Sequence, residues 1–224
     1  MRQELLDKSV GTPRVARPSQ STEATVRYLL LVDITGYTTF LASVEDTHGV
    51  DFSGGIPAGF AIIGALLDAV IDEVRPAFEI SKLEGDAVFA TALAADLDGQ
   101  GAVVLERLRR VDRHFRKVQR QQAAEASDHV CLACPTAASL SIKIVLHRGS
   151  VVRVERAGQS ELHGPAVNAV HRLLKNTVRS RVGLKPYILI TDAASTALDI
   201  AEGIPHDEHY DDIGVVSGRI LTLD

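Results

Sequence analysis

Leu30-Leu31-Val32-Asp33-Ile34-Thr35-Gly36-Tyr37-Thr38-Thr39 is the stretch that decides how this chain folds. A run of apolar, β-favouring residues ends in a carboxylate, and a glycine-containing turn follows at once. An aspartate at the end of a buried strand is costly to desolvate unless a cation, a donor or water meets it. Here it stands where a strand hands over to a helix, beside backbone N–H groups that suit phosphates. A second carboxylate has a similar setting in Glu79-Ile80-Ser81-Lys82-Leu83-Glu84-Gly85-Asp86-Ala87-Val88-Phe89-Ala90. Two strand-edge aspartates and a glycine turn point to a divalent-metal site that handles phosphate.

Outward from this stretch, residues 26–34 read as a strand buried on both faces, because its apolar character is nearly continuous. A short helix begins near Thr38, and glycines and a proline mark a loop over 49–57. Phe60, Ile63, Leu66, Leu67, Val70, Ile71 and Val74 recur at helical spacing, and Pro76 ends that helix. Residues 79–83 and 87–93 read as a hairpin around Glu84-Gly85-Asp86. Val104, Leu105, Leu108, Val111, Phe115 and Val118 define a further amphipathic helix, whose arginine-dense outer face reads as a solvated surface. Residues 140–146 and 151–154 read as two strands turning at His147-Arg148-Gly149. A helix over 166–178, a strand over 187–190 and a short helix over 193–200 follow, and two final strands bracket Ser217-Gly218. This order predicts an α+β, ferredoxin-like fold. Its βααββαβ core sheet carries helices on one face, with a small C-terminal αβ extension.

Composition narrows the function classes. The 224 residues are 46% hydrophobic and 24% charged, as expected of a globular chain with a real core. A net charge of −5 argues against a general nucleic-acid binder. The apolar runs fall short of the roughly 20 residues of a membrane span. No apolar signal core opens the chain, so the expected compartment is the cytoplasm. Residues 1–24 are polar, contain Pro13 and Pro18, and read as a flexible arm, leaving 25–224 as one domain. Cys131 and Cys134 form a CxxC that can hold zinc with His129 and His147, but no second CxxC accompanies it; two reduced thiols in a loop is the plainer reading.

Four segments in this order resemble the class III nucleotidyl cyclases. Asp33-Ile34-Thr35-Gly36-Tyr37-Thr38 is similar to their first metal motif, and Lys82-Leu83-Glu84-Gly85-Asp86 to their Lys-x-x-Gly-Asp hairpin. Leu146-His147-Arg148-Gly149 is similar to their His-x-Gly strand end. Gly164-Pro165-Ala166-Val167-Asn168-Ala169-Val170-His171-Arg172-Leu173 resembles their Gly-x-x-Val-Asn-x-x-x-Arg-Leu helix. Together with the CxxC, Glu161-Leu162-His163-Gly164 and His171-Arg172-Leu173-Leu174-Lys175-Asn176, they resemble an uncharacterised bacterial branch of that superfamily.

The resemblance implies a class III cyclase homology domain that converts ATP to 3′,5′-cyclic AMP and pyrophosphate as a homodimer. It implies that Asp33, Asp86 and the Ile34 carbonyl ligate two Mg²⁺ or Mn²⁺ ions, which prefer such oxygen donors. Gly36 and Tyr37 would lie against the substrate, and Lys82 and Glu161 would read the base. Asn168 would orient the ribose. Arg172 would meet the charge that builds as pyrophosphate leaves. Relatives often carry a phosphate-binding lysine in the C-terminal hairpin, which here offers only Arg219. Lys143 is a candidate for the triphosphate, because the strand before His-x-Gly often carries a basic residue in relatives.

Each residue also has a plainer use. A strand-end aspartate often caps the next helix, and Asn168 and Arg172 at i and i+4 share a helix face. His171 stands where relatives often have alanine or serine, and Glu161 where they often have aspartate or threonine. A catalytically weak nucleotide-binding module and a cyclase using GTP or a pyrimidine triphosphate therefore remain open. A two-aspartate phosphohydrolase leaves the Asn168 and Arg172 spacing unexplained.

Overall fold

The computed structural model describes residues 23–49, 53, 56–127 and 134–223. Its first element, β1 (Thr25–Thr35), runs through the middle of the main sheet, buried from Arg27 to Val32. α1 (Tyr37–His48) and α2 (Ala58–Val74) follow, then the hairpin of β2 (Glu79–Glu84) and β3 (Ala87–Leu93). Next come α3 (Ala94–Leu97), α4 (Gly101–Ser127), a 3-10 turn at Cys134–Ser139, the long strand β4 (Ser141–Arg156) and β5 (Gln159–His163). α5 (Pro165–Leu173), α6 (Arg179–Val182), β6 (Tyr187–Thr191), α7 (Asp192–Ala197), β7 (Ile204–Tyr210) and β8 (Gly214–Thr222) complete the chain.

The sheet order is β2-β3-β1-β4-β6-β8-β7, antiparallel except for the β4–β6 pair, and β5 adds to the far half of β4. This is the mixed α+β sheet expected from the element order. Alternation along β1 divides the core between the two sheet faces. Tyr28, Leu30, Val32 and Ile34 face α1, α2 and α4, where Phe40, Leu66, Val70, Leu108 and Phe115 fill the interior. Leu29 and Leu31 face the other way and pack with Phe89, Val145, Ala166, Val170 and Leu173, so α5 covers the opposite face. The helices are thus not confined to one face as expected, because β1 is apolar on both sides. The arginine-rich side of α4 is tied by surface pairs, including Arg109–Glu202, Arg110–Glu73 and Arg113–Glu106, as a solvated face would be.

Three expected boundaries shift for identifiable reasons. His147-Arg148-Gly149 is no turn, because β4 continues through it in register with β1, pairing Arg148 with Tyr28 and Gly149 with Arg27. The glycine is there for packing: a Cβ at 149 would come within 2.6 Å of the Ala166 Cβ on α5. Gly149→Ala should therefore destabilise the fold by about 1–3 kcal/mol through overpacking, read as a lower urea midpoint at unchanged m-value. The expected helix over 166–178 ends at Leu173. There the Asn176 amide donates to the Leu173 carbonyl at 2.7 Å, while its side-chain oxygen accepts from the Val178 N–H at 3.1 Å. Ser217-Gly218 lies inside β8, and the chain reverses after Tyr210, with Gly214 at φ 75°. Gly218 is needed in the strand, since a Cβ would sit 2.5 Å from the Ile190 carbonyl oxygen.

β5 was not expected from the sequence. Ala157 and Gly158, both at positive φ, close a tight hairpin of the kind whose twist matches its strands. Most of the expected N-terminal arm falls on residues 1–22, outside the described residues, as do Cys131 and His129. Cys134 is buried at the start of the 3-10 turn, and the His147 ring lies 3.0 Å from the Thr191 hydroxyl. Among the described residues, no helix is long and apolar enough to cross a membrane.

Candidate active site

The strand ends bring Asp33 and Asp86 together. Asp33 pairs across the sheet with Ala87, and the Ile34 N–H donates to the Asp86 carbonyl at 3.1 Å, which ties the end of β1 to the β2–β3 turn. Gly85 takes φ 65° in that turn, a conformation that favours glycine. Burial, and then the charge of Asp33, push the Asp86 carboxyl above the ordinary carboxylate range. Both aspartates line a cavity of about 440 Å³.

Gly36 and Tyr37 lie on the same wall. Gly36 adopts φ 91° as the N-cap of α1, the left-handed geometry a side chain disfavours. No side chain caps α1 and its first turn carries no acid, so the opening N–H groups at Tyr37, Thr38 and Thr39 are left for whatever occupies the cavity. Lys143 stands opposite Asp33 on β4. Its ammonium lies 3.1 Å from Asp33 Oδ2 and donates to the Leu174 carbonyl at 3.0 Å. It thus supplies positive charge inside the aspartate cavity, where the sequence reading put a triphosphate contact.

Lys82 and Glu161 meet in a second cavity of about 300 Å³, lined also by Phe89, His163 and Val167. The Lys82 ammonium is 2.5 Å from Glu84 Oε1, and Glu161 is 3.3 Å from the His163 ring. Asn168 and Arg172 are exposed on α5 and line neither of these cavities. Arg172 pairs with Asp212 after β7 at 2.5 Å, with both side chains about half exposed. Pairs of that exposure contribute little, roughly 0–1 kcal/mol, so the guanidinium is readily given up to a stronger anion.

Sequence reasoning missed three residues of the aspartate cavity: Asn176, Arg179 and Tyr187. Asn176 accepts from the Tyr187 hydroxyl at 2.7 Å while stopping α5. Thr177 beside it donates through its N–H, at 2.7 Å, and its hydroxyl, at 3.0 Å, to Glu208, a carboxylate only 3% exposed. This buried anchor fixes the loop from which Arg179 reaches the cavity. Asn176 stood inside the quoted Leu173-Leu174-Lys175-Asn176 run. Nothing local marked Arg179 or Tyr187, which the helix stop and the β4–β6 crossover bring there.

Carboxylate oxygens are hard donors suited to Mg²⁺ or Mn²⁺. Two of them share a cavity with one ammonium beside them, and burial disfavours the charge of Asp86, so the donor set fits a divalent cation. Among the described residues, no three His, Cys, Asp or Glu side chains gather as a ready-made metal cluster. Further ligands would have to come from backbone, water or substrate.

The fold has the architecture of solved nucleotide cyclase domains. Its solved structural neighbours are class III adenylyl and guanylyl cyclase domains. The guanylyl cyclase Cya2 superposes with a TM-score of 0.62 at 13% identity, over 90% of this chain and 94% of that one. A bacterial light-regulated adenylyl cyclase gives 0.61 at 15% identity over 88% of this chain. The chain spans about half, 52%, of that enzyme's length. At these identities the likeness is one of fold. Residues 63–182, more than half of the chain, match the family described as Protein of unknown function (DUF2652), and the protein belongs to that family. An uncharacterized protein of Mycobacterium tuberculosis is 32% identical over 163 residues, 70% of this chain and 72% of its own.

Proposed function

We propose that the protein is a nucleotidyl cyclase that converts ATP to 3′,5′-cyclic AMP and pyrophosphate across a homodimer interface. The observation that carries this reading is the division of the candidate residues. Asp33 and Asp86 share one cavity, Lys82 and Glu161 share another, and Asn168 and Arg172 face outward from α5. A site completed by a second copy uses all three groups, and two-fold symmetry builds two such sites at once.

Asp33, Asp86 and the Ile34 carbonyl would hold two Mg²⁺ or Mn²⁺ ions. Bound there, the ions neutralise phosphate charge and lower the pKa of the ribose 3′-hydroxyl. The α1 N-terminus meets phosphate oxygens with backbone N–H groups. Lys143 and Arg179 bring positive charge to the same cavity, which supports a polyphosphate rather than a neutral ligand. Arg172, supplied by the other copy, meets the charge that develops at the α-phosphate as the pyrophosphate bond breaks, and Asn168 holds the ribose.

Lys82 is donor-only and ionised Glu161 acceptor-only, which matches N1 and the amino group of adenine. GTP and the pyrimidine triphosphates are the competing substrates. The test is pyrophosphate release from each of the four nucleoside triphosphates with Mn²⁺, with ATP expected to be turned over fastest. No release from any of them would refute the cyclase reading. Lys82→Glu combined with Glu161→Cys should cut ATP turnover by about 10–100-fold, the loss expected when a site built to hydrogen-bond a base is left with mismatched partners costing about 1–3 kcal/mol in total. An unchanged order among the four nucleotides in this double variant would show that neither residue reads the base.

A further inference from the structure

We propose that Glu84 is a positioning residue for Lys82, held in that role by His171, so that a carboxylate–imidazole pair aims the ammonium that reads the ligand in the second cavity. The inference rests on the nucleotide-binding part of the function proposed above.

The two oxygens of Glu84 divide between two elements. Oε1 lies 2.5 Å from the Lys82 ammonium, and Oε2 lies 3.4 Å from His171 Nδ1 on α5. Glu84 is the more enclosed partner, its side chain 26% exposed against 55% for Lys82, so the carboxylate is the fixed point and the lysine the mobile one. Lys82 and Glu84 stand two residues apart on β2 and so project to the same side. The β2–β3 pairing shifts register between Ile80 and Lys82, an irregularity of the kind that re-aims a side chain beside a site.

Phe89 supplies the floor. It lies opposite Lys82 in the hairpin and is almost fully buried, with the ammonium 6.0 Å from its ring centre. The His171 ring packs on the same phenyl at 5.2 Å between centroids. Phe89 and Lys82 are walls of the second cavity, which also holds Glu161. A four-carbon stem with three rotatable donors does not by itself point at one acceptor. Glu84 takes one donor direction and leaves the others to face the cavity. His171 stands against Glu84 from the helix that also carries Asn168 and Arg172, so the hairpin and α5 meet at this pair.

The test is titration calorimetry of the full chain with ATP, GTP, CTP and UTP in Ca²⁺ buffer, which reads binding whether or not cyclisation follows. Glu84→Gln is expected to weaken the preferred nucleotide about 10-fold and to flatten the ranking of the four, as a site stripped of one directed partner should. Glu84→Asp should restore part of the ranking, and His171→Ala should shift it in the same direction by less. In a Lys82→Met background Glu84→Gln should have no further effect, because a positioning residue acts only through the group it positions. Wild-type discrimination by Glu84→Gln, or an equal loss with and without Lys82, overturns the proposal. If the wild type discriminates through Glu84 but releases no pyrophosphate with Mn²⁺, the positioning role stands and the cyclase reading falls. If it cyclises and Glu84→Gln changes nothing, the reverse holds; if none of the four nucleotides binds, both fall.

Discussion

Asp33→Ala and Asp86→Ala are each expected to lower pyrophosphate release from ATP by at least about 10³-fold while leaving the fold intact. Losing a metal ligand removes several kcal/mol of charge stabilisation, and each 1.36 kcal/mol is tenfold in rate. Asp86 also bears on stability. Burial and the neighbouring Asp33 raise the folded pKa of Asp86 above its unfolded value. A raised carboxylate pKa means that the stability present below the unfolded pKa is lost as pH rises through the folded pKa. Asp86→Asn should therefore melt above the wild type at neutral pH, and the gap should close in acid as the wild-type carboxyl protonates. Mn²⁺ should raise the wild-type Tm and leave that of Asp86→Asn unmoved. Near-normal turnover by either alanine variant, or equal Mn²⁺ stabilisation of Asp86→Asn, contradicts the two-metal assignment.

Arg172→Ala alone should cost about 10²–10³-fold, the usual loss when a donor to developing charge is removed. Mixed with Asp33→Ala, it should regain activity. In a mixed dimer one site collects both defects and the other collects neither, so a random mixture should recover up to about a quarter of wild-type activity. The structure motivates the experiment, since Arg172 is exposed on α5 and pairs with Asp212 rather than lining the aspartate cavity of its own chain. Mixed dimers that form and stay as inactive as either parent rule out the shared site. Recovery in Arg172→Ala alone on adding Asp212→Asn would instead show that the arginine acts through that ion pair.

The stretch around Asp33 determined the centre of the fold by itself. A strand apolar on both faces belongs inside a sheet, and β1 does pair on both sides, with β3 and β4. The helical spacing of 60–74 and 104–118 and the hairpin around Gly85 were legible for the same reason: period and turn chemistry are local. The two aspartates were legible as a pair because a strand-end carboxylate has few comfortable settings. Resemblance, rather than pattern, linked Lys82 with Glu161, which the structure places in one cavity.

Non-local packing decided the rest. Gly149 and Gly218 read as turns but lie within strands, because what each avoids is an atom from a distant element, the Ala166 Cβ or the Ile190 carbonyl. The end of α5 depended on an asparagine side chain competing for a backbone carbonyl, and a helical period does not register that bond. Arg179 entered the aspartate cavity because Glu208, far along the chain, holds Thr177 beside it. The Glu84–His171 contact joins residues on a hairpin and on a helix across the sheet. Sequence carries each residue's chemistry and its local period, whereas which charges meet is set by the folding of distant segments onto one another.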